Sequence, residues 1–144
     1  MAAIRLYEPS DLAAVADLMG DLGYPSTIAD MERRMNVMAS NPFCHTFVAE
    51  QDGQAVGMIG IRISTNYEVD DVVTYISALV VKSNYRGQGI GKQLIRFAED
   101  WSIHNGSNVL YLTSGIKEER KAAHAFYQSL GFEITGYRFV KKHK

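Results

Sequence analysis

The run Tyr85-Arg86-Gly87-Gln88-Gly89-Ile90-Gly91-Lys92 joins two stretches of opposite character. Before it, Tyr75-Ile76-Ser77-Ala78-Leu79-Val80-Val81 is mostly apolar and rich in β-branched residues; after it, Ile90, Leu94, Phe97, Ala98 and Trp101 recur at helical spacing. A chain built this way is expected to fold as a strand feeding a glycine-rich turn that opens a helix. Such a turn can do chemistry. Glycines let successive backbone N–H groups converge on one point, and the free N–H groups of the helix start add partial positive charge. Arg86 brings a fixed cation with several donors to the same turn. The run is therefore expected to grip the phosphate of a small molecule, with a purely structural turn as the competing reading.

Two common phosphate motifs fail here. A dinucleotide fingerprint, G-x-G-x-x-G, would need a glycine where Lys92 stands (counting from Gly87) or where Leu94 stands (counting from Gly89). A Walker A loop would need glycine at Arg86 and a hydroxyl residue at Gln93 to reach Mg²⁺. A nucleotide-binding function using the same glycines is weakened accordingly.

At 144 residues the chain suits one domain, 1–144, large enough to bury about 68–70% of its unfolded surface. Its 15 Lys+Arg balance 16 Asp+Glu, a net charge of −1. That gives no global attraction for nucleic acid or an anionic membrane, and neither partner is expected. The basic Lys141-Lys142-His143-Lys144 reads as a solvated end. The lone Cys44 leaves no intramolecular disulfide and fits a reducing compartment. It adjoins His45, but neighbours in an extended segment point to opposite faces, which argues against a Cys–His dyad. No metal site is expected. Met1 to Arg5 lacks the apolar core of a signal peptide and no apolar run approaches ~20 residues, so a cytoplasmic location is expected.

Along the chain, Ala3–Leu6 is a strand candidate, and Ser10 is placed to cap a helix carrying Leu12, Val15, Ala16 and Met19 that ends near Gly23. Ser26 or Thr27 caps a second helix with Ile28, Met31, Met35 and Met38, stopped by Asn41-Pro42. Phe43–Ala49 and Ala55–Ile63 read as strands joined by a hairpin at Asp52-Gly53, with Gly57 and Gly60 marking a bulge or close packing. Strand Val72–Val81, the glycine turn and its helix follow. Val109–Thr113 is a short strand, Glu118–Leu130 a helix stopped by Gly131, and Phe132–Val140 a final strand. The middle strands form an antiparallel meander, and the helix after Gly89 returns the Val109 strand parallel to the Val80 strand.

Arg86, Gly89 and Gly91 spell R-x-x-G-x-G, and Ala123, Phe126, Tyr127, Leu130, Gly131 and Phe132 spell A-x-x-F-Y-x-x-L-G-F. In this order and spacing they resemble the two acetyl-CoA elements of the GNAT superfamily, the acyl-CoA-dependent N-acetyltransferases. Leu22-Gly23-Tyr24-Pro25 resembles a substrate-side loop in one branch, so the likeness covers nearly the whole chain. It implies a single-domain α/β fold: a central mixed, mostly antiparallel twisted sheet of six to seven strands flanked by about four helices, with a splayed parallel pair at the acetyl-CoA site. It implies acetyl-CoA as acyl donor, contacted by Leu79, Val80, Val81, Arg86, Gly87, Gln88, Gly89, Ile90, Gly91, Lys92, Ala123 and Tyr127.

One position departs from the pattern. Many relatives carry Asn where this chain has Arg120, and Arg120 or Lys117 is expected to meet coenzyme A phosphates instead. His124 shares a helix stripe with Arg120 and Tyr127 and reads as structural rather than functional. Tyr127 is the expected general acid: phenols, with pKa about 10, can protonate a departing thiolate. A packing tyrosine is the alternative.

The implied reaction is direct attack of an amine, from a small molecule or peptide, on the thioester. A backbone N–H near Leu79-Val80-Val81 would polarise the carbonyl. Tyr24, Glu68, Tyr75 and Ser77 are candidates for the acceptor side, with Glu68, Asp70 and Asp71 able to draw in a cation or simply to be a solvated loop. No residue declares itself as the base. A catalytically silent acyl-CoA-binding sensor or scaffold is the competing function, and apolar strand edges would suit a homodimer.

Overall fold

The computed structural model describes residues 2–143. In chain order its elements are β1 (Ala3–Leu6), α1 (Leu12–Leu22), α2 (Ile28–Ala39), β2 (Cys44–Gln51), β3 (Gln54–Thr65), β4 (Val72–Val81), α3 (Ile90–His104), β5 (Val109–Leu112) and α4 (Lys121–Ser129). Short 3₁₀ turns precede α1, α3 and α4.

Local chemistry explains most of the boundaries. Gly23 ends α1 with φ 106°, a left-handed conformation that a side chain would strain. Thr27 caps α2, its hydroxyl accepting from Asp30 N–H at 3.0 Å. Asp52 and Gly53 both have positive φ, the requirement of a two-residue primed hairpin turn. The start of α1 differs from expectation. Ser10 does not cap it; the Asp11 carboxylate accepts from Glu8 N–H, and the Glu8 side chain completes a capping box. Asp11 is buried and takes two further hydrogen bonds from Arg5, at 2.8 and 2.9 Å, while Arg5 also reaches Glu50. This knot ties the first helical turn to β1 and β2.

The strands form one mixed sheet in the order β1-β2-β3-β4-β5, antiparallel except for the parallel β4–β5 pair. A core of Phe47, Ile59, Ile61 and Ile76 packs under Ile90, Leu94 and Ala98 of α3. On the other face Val48, Met58 and Val80 meet Val15 and Leu18 of α1 and Met31 of α2. Four helices on a mixed sheet match expectation, but the described residues hold five strands, not six to seven. The missing one is Phe132–Val140, which forms no ladder and leaves Ile134, Tyr137 and Phe139 exposed. An apolar run becomes a strand only with a partner edge. The edge strand, β5, offers four residues, and nothing pairs with its free side among the described residues.

Candidate active site

β4 outruns its parallel neighbour. The β4–β5 ladder runs from Val73↔Val109 to Ile76↔Leu112 and ends, whereas β4 continues to Val81. Among the described residues Leu79, Val80 and Val81 thus lie on a stretch of strand without a ladder partner on the β5 side. A second irregularity precedes it. Gly60 pairs with Ala78 and Ile61 with Ile76, so Ser77 is an extra residue bulged out of the ladder. Gly60 makes that possible, because a Cβ there would stand 3.1 Å from the Ser77 hydroxyl.

Beyond Val81 the chain is pinned before it turns. Lys82 N–H donates to Val56 O at 2.7 Å, and the Tyr85 hydroxyl is held by Gln54 and by Asp52 of the hairpin. Gly87 and Gly89 follow with φ 81° and 83°, and a Cβ at either would meet open space. The backbone, not crowding, therefore requires glycine here. The first helical hydrogen bond of the turn runs from Gln93 N–H to Gly89 O at 3.0 Å. Among the described residues, the N–H groups of Gly89, Ile90, Gly91 and Lys92 donate to no protein acceptor. They sit at the positive end of the fifteen-residue α3, and Gln51, Gln88, Gly89 and Gln93 line a depression beside them. Arg86 is braced away from this nest, donating to Val81 O at 3.2 Å and to Asp21 O at 3.3 Å.

α4 docks on the same helix start. The Phe126 ring reaches to within 3.5 Å of where a Gly91 Cβ would be, beside the Val81 side chain. Tyr127 adjoins it, with ring centroids 5.6 Å apart, and meets Phe132 edge-on at 6.1 Å. The half-buried Tyr127 makes no side-chain hydrogen bond among the described residues, so its phenol is available. Gly131, φ 94°, closes the helix, with Phe132 N–H returning to Tyr127 O.

The remaining expected residues divide. His124 Nε2 lies 2.7 Å from Gly115 O and Arg120 lies 3.4 Å from the Ser114 hydroxyl, so both tie α4 to the segment leaving β5. The bond to a carbonyl makes Nε2 the protonated nitrogen of His124. Ala123 is half-buried on the same helix. Ser77 lines a pocket beneath α1 and α2, whereas Tyr75 stacks on Tyr111 at 4.8 Å, under Arg62. Tyr24 and Glu68 lie exposed on loops. Asp71 is engaged by Asn108 Nδ2. The bulge expected at Gly57 or Gly60 falls at Gly60/Ile61, with its extra residue at Ser77 of the facing strand, whereas the methionine lining of that pocket has no counterpart in the sequence reading. Met31, Met35 and Met38 on one helix face were the signal for it.

The resolved electrostatic shifts lie elsewhere. Arg5 holds the Asp11 carboxyl below the usual carboxylate range, and burial raises the Tyr7 phenol. Both belong to the knot around β1, while Asp30, at the start of α2, is held low by the Thr27 hydroxyl and by Arg33. Among the described residues no three His, Cys, Asp or Glu side chains gather as a metal site, and no helix is long and apolar enough to cross a membrane.

Residues 12–132 match the model of the acetyltransferase (GNAT) family. The chain belongs to that family. Among GNAT relatives, the aminoalkylphosphonate N-acetyltransferase of Salmonella typhimurium is 34% identical over 70% of this chain and 64% of its own length. The glucosamine 6-phosphate N-acetyltransferase of Trypanosoma brucei brucei is 31% identical over 90% of this chain and 87% of its own. The solved structure of AAC(6')-Iy, in complex with the bisubstrate analogue CoA-S-monomethyl-acetylneamine, superposes with a TM-score of 0.85 at 20% identity, covering 100% of this chain and 99% of that one. That likeness speaks for the GNAT fold. Coenzyme A, the family's acyl carrier, bears a pyrophosphate, and the nest fits such a group: its N–H groups lack protein acceptors and both positive-φ glycines face open space.

Proposed function

We propose that this protein transfers an acetyl group from acetyl-CoA to an amine, in one step within a ternary complex. The observation that carries the proposal is the convergence of two motifs on one helix start. The free N–H groups of Gly89 to Lys92 follow directly on the unpaired end of β4, and Phe126 packs the helix bearing Tyr127 against Gly91. In this reading Gly87 to Lys92 hold the pyrophosphate with backbone donors and helix dipole. The unpaired side of Leu79–Val81 receives the pantetheine arm as a sheet edge receives a strand, and one of its N–H groups stabilises charge on the thioester oxygen.

The amine nitrogen forms a bond to the thioester carbonyl carbon as the C–S bond breaks. Tyr127 gives its phenolic proton to the departing sulfur and recovers one from solvent, which also takes the surplus proton of the nitrogen. Arg120 and His124 act by holding the α4 entrance to Ser114 and Gly115. The two relatives, an aminoalkylphosphonate and a glucosamine 6-phosphate N-acetyltransferase, support an amine of a small molecule as acceptor.

Amine-dependent release of free thiol from acetyl-CoA tests the reading. Tyr127→Phe should lower kcat about 100-fold and leave acetyl-CoA affinity unchanged. An unaltered rate at every pH removes Tyr127 from the mechanism. Tight acetyl-CoA binding with no thiol release for any amine makes the protein a silent acyl-CoA-binding module instead.

A further inference from the structure

A pocket of about 160 Å³ opens between α1, α2 and strands β2 to β4, on the sheet face opposite α3. Its walls carry Met19, Met31, Met35, Met38 and Met58, every methionine of the chain except Met1. One end of its lining is the β4 bulge, the exposed Ser77 and the half-buried Ala78, immediately before the Leu79–Val81 stretch proposed to face the thioester. No carboxylate lines it, and the only Lys or Arg among its lining residues is the exposed Arg34. His45 contributes to the wall, but its ring stacks on Trp101 of α3 at 4.7 Å, on the far face.

Arg34 donates to the Ser26 hydroxyl at 2.8 Å and touches Met31 sulfur at 4.0 Å. Among the described residues Arg34 forms no ion pair of its own: Asp30, one turn before it on α2, feels its charge but is paired with Arg33, which leaves Arg34 donors free. A guanidinium with spare donors at the mouth of an apolar pocket suits a ligand anion. That space is many times the roughly 10–15 Å³ that admits one water, enough for a short hydrocarbon body. Thioethers adapt to flexible chains and offer only weak acceptors to hydroxyl groups.

Resting on the acetyl-transfer reading, we infer that the acceptor is an amine on a short apolar body that ends in an anion. The amine lies at the Ser77 bulge, the body among the methionines, and the anion on Arg34. A polyhydroxylated sugar would bury more hydroxyls than Thr46 and Ser77 can partner, and a polyamine would bring a like charge to Arg34.

The test uses the full chain with acetyl-CoA and three probes: 6-aminohexanoate, hexylamine and spermidine. Thiol release should be most efficient, as kcat/KM, for 6-aminohexanoate. Arg34→Gln should lower that value at least tenfold and leave hexylamine unchanged. Independently of turnover, methionine methyl carbons labelled with ¹³C should shift saturably when 6-aminohexanoate is added to coenzyme A-loaded protein. Arg34→Gln should weaken that binding by the same factor. Preferred turnover of spermidine with unmoved methionine signals overturns the inference and leaves acetyl transfer standing. Saturable methionine shifts without acetylation of any amine keep the pocket and overturn the transfer reading. Unmoved methionine signals with no turnover overturn both.

Discussion

The two faces of the sheet are made by alternate residues of the same strands, yet they are built differently. Facing α3, Phe47 meets Phe97 and Trp101 edge-on, with ring centroids 4.8 and 5.9 Å away, and Ile59, Ile61 and Leu94 are almost completely buried. These are rigid or branched side chains closed against one long helix. Facing α1 and α2, the neighbours of those residues are Val48 and Met58; Val15 and Leu18 close part of that face, but beside them Met19, Met31, Met35 and Met38 of the helices surround a hollow. One face holds the sheet together. The other is soft enough to take a ligand and lies at the bulge where β4 leaves the ladder.

The contrast predicts unequal costs for comparable changes. Leu94→Ala, on the closed face, should remove about 3 kcal/mol, since neighbours locked by aromatic rings cannot collapse into the space. Urea unfolding measures it, and a loss under 1 kcal/mol would show that the face is not close-packed. Asp11→Asn, which strips Arg5 of a carboxylate, should cost about 2 kcal/mol. The wild-type carboxyl is held below its ordinary range by Arg5 and by Glu8 N–H. A depressed native pKa gives stability that is complete above about pH 4, the unfolded value, and is lost as pH falls through the native one. The variant should therefore lose less stability than wild type on acidification, and parallel curves would contradict that role. Met58→Leu, on the hollow face, should cost under about 1.5 kcal/mol while raising KM for an apolar amine acceptor. Unchanged acceptor kinetics would detach the hollow from substrate.

What could be read from the chain follows the range of each signal. Gly23, Thr27, Asp52-Gly53, Gly89 and Gly131 act on their own backbone, and each boundary falls where its chemistry puts it. Phe132–Val140 has the composition of a strand but needs an edge supplied by distant residues, which no local pattern specifies. Ser77 illustrates the same limit at the site. Strand alternation alone gives no reason for an extra residue there; Gly60, on the partner strand, does. Tyr75, two residues before the bulge, stands against Tyr111 and does not join Ser77 in lining the pocket. The methionines at 31, 35 and 38 carry the same periodicity as a core helix, so their hollow is invisible until α1 and β3 are in place. Arg34 in turn looks like any surface cation of α2 until the pocket beside it is seen.

The donor nest tests the account most directly, by calorimetric titration of acetyl-CoA into wild type, Gly89→Ala and Gly89→Glu. Both substitutions strain a backbone at φ 83° with open space around the new side chain, so the alanine variant isolates that strain. Only glutamate adds negative charge among the free N–H groups of Gly89 to Lys92. The account predicts at least about tenfold weaker binding for Gly89→Glu than for Gly89→Ala, the loss expected when a carboxylate competes for the donors of a helix N-terminus. Equal affinity of the two variants for acetyl-CoA would contradict it.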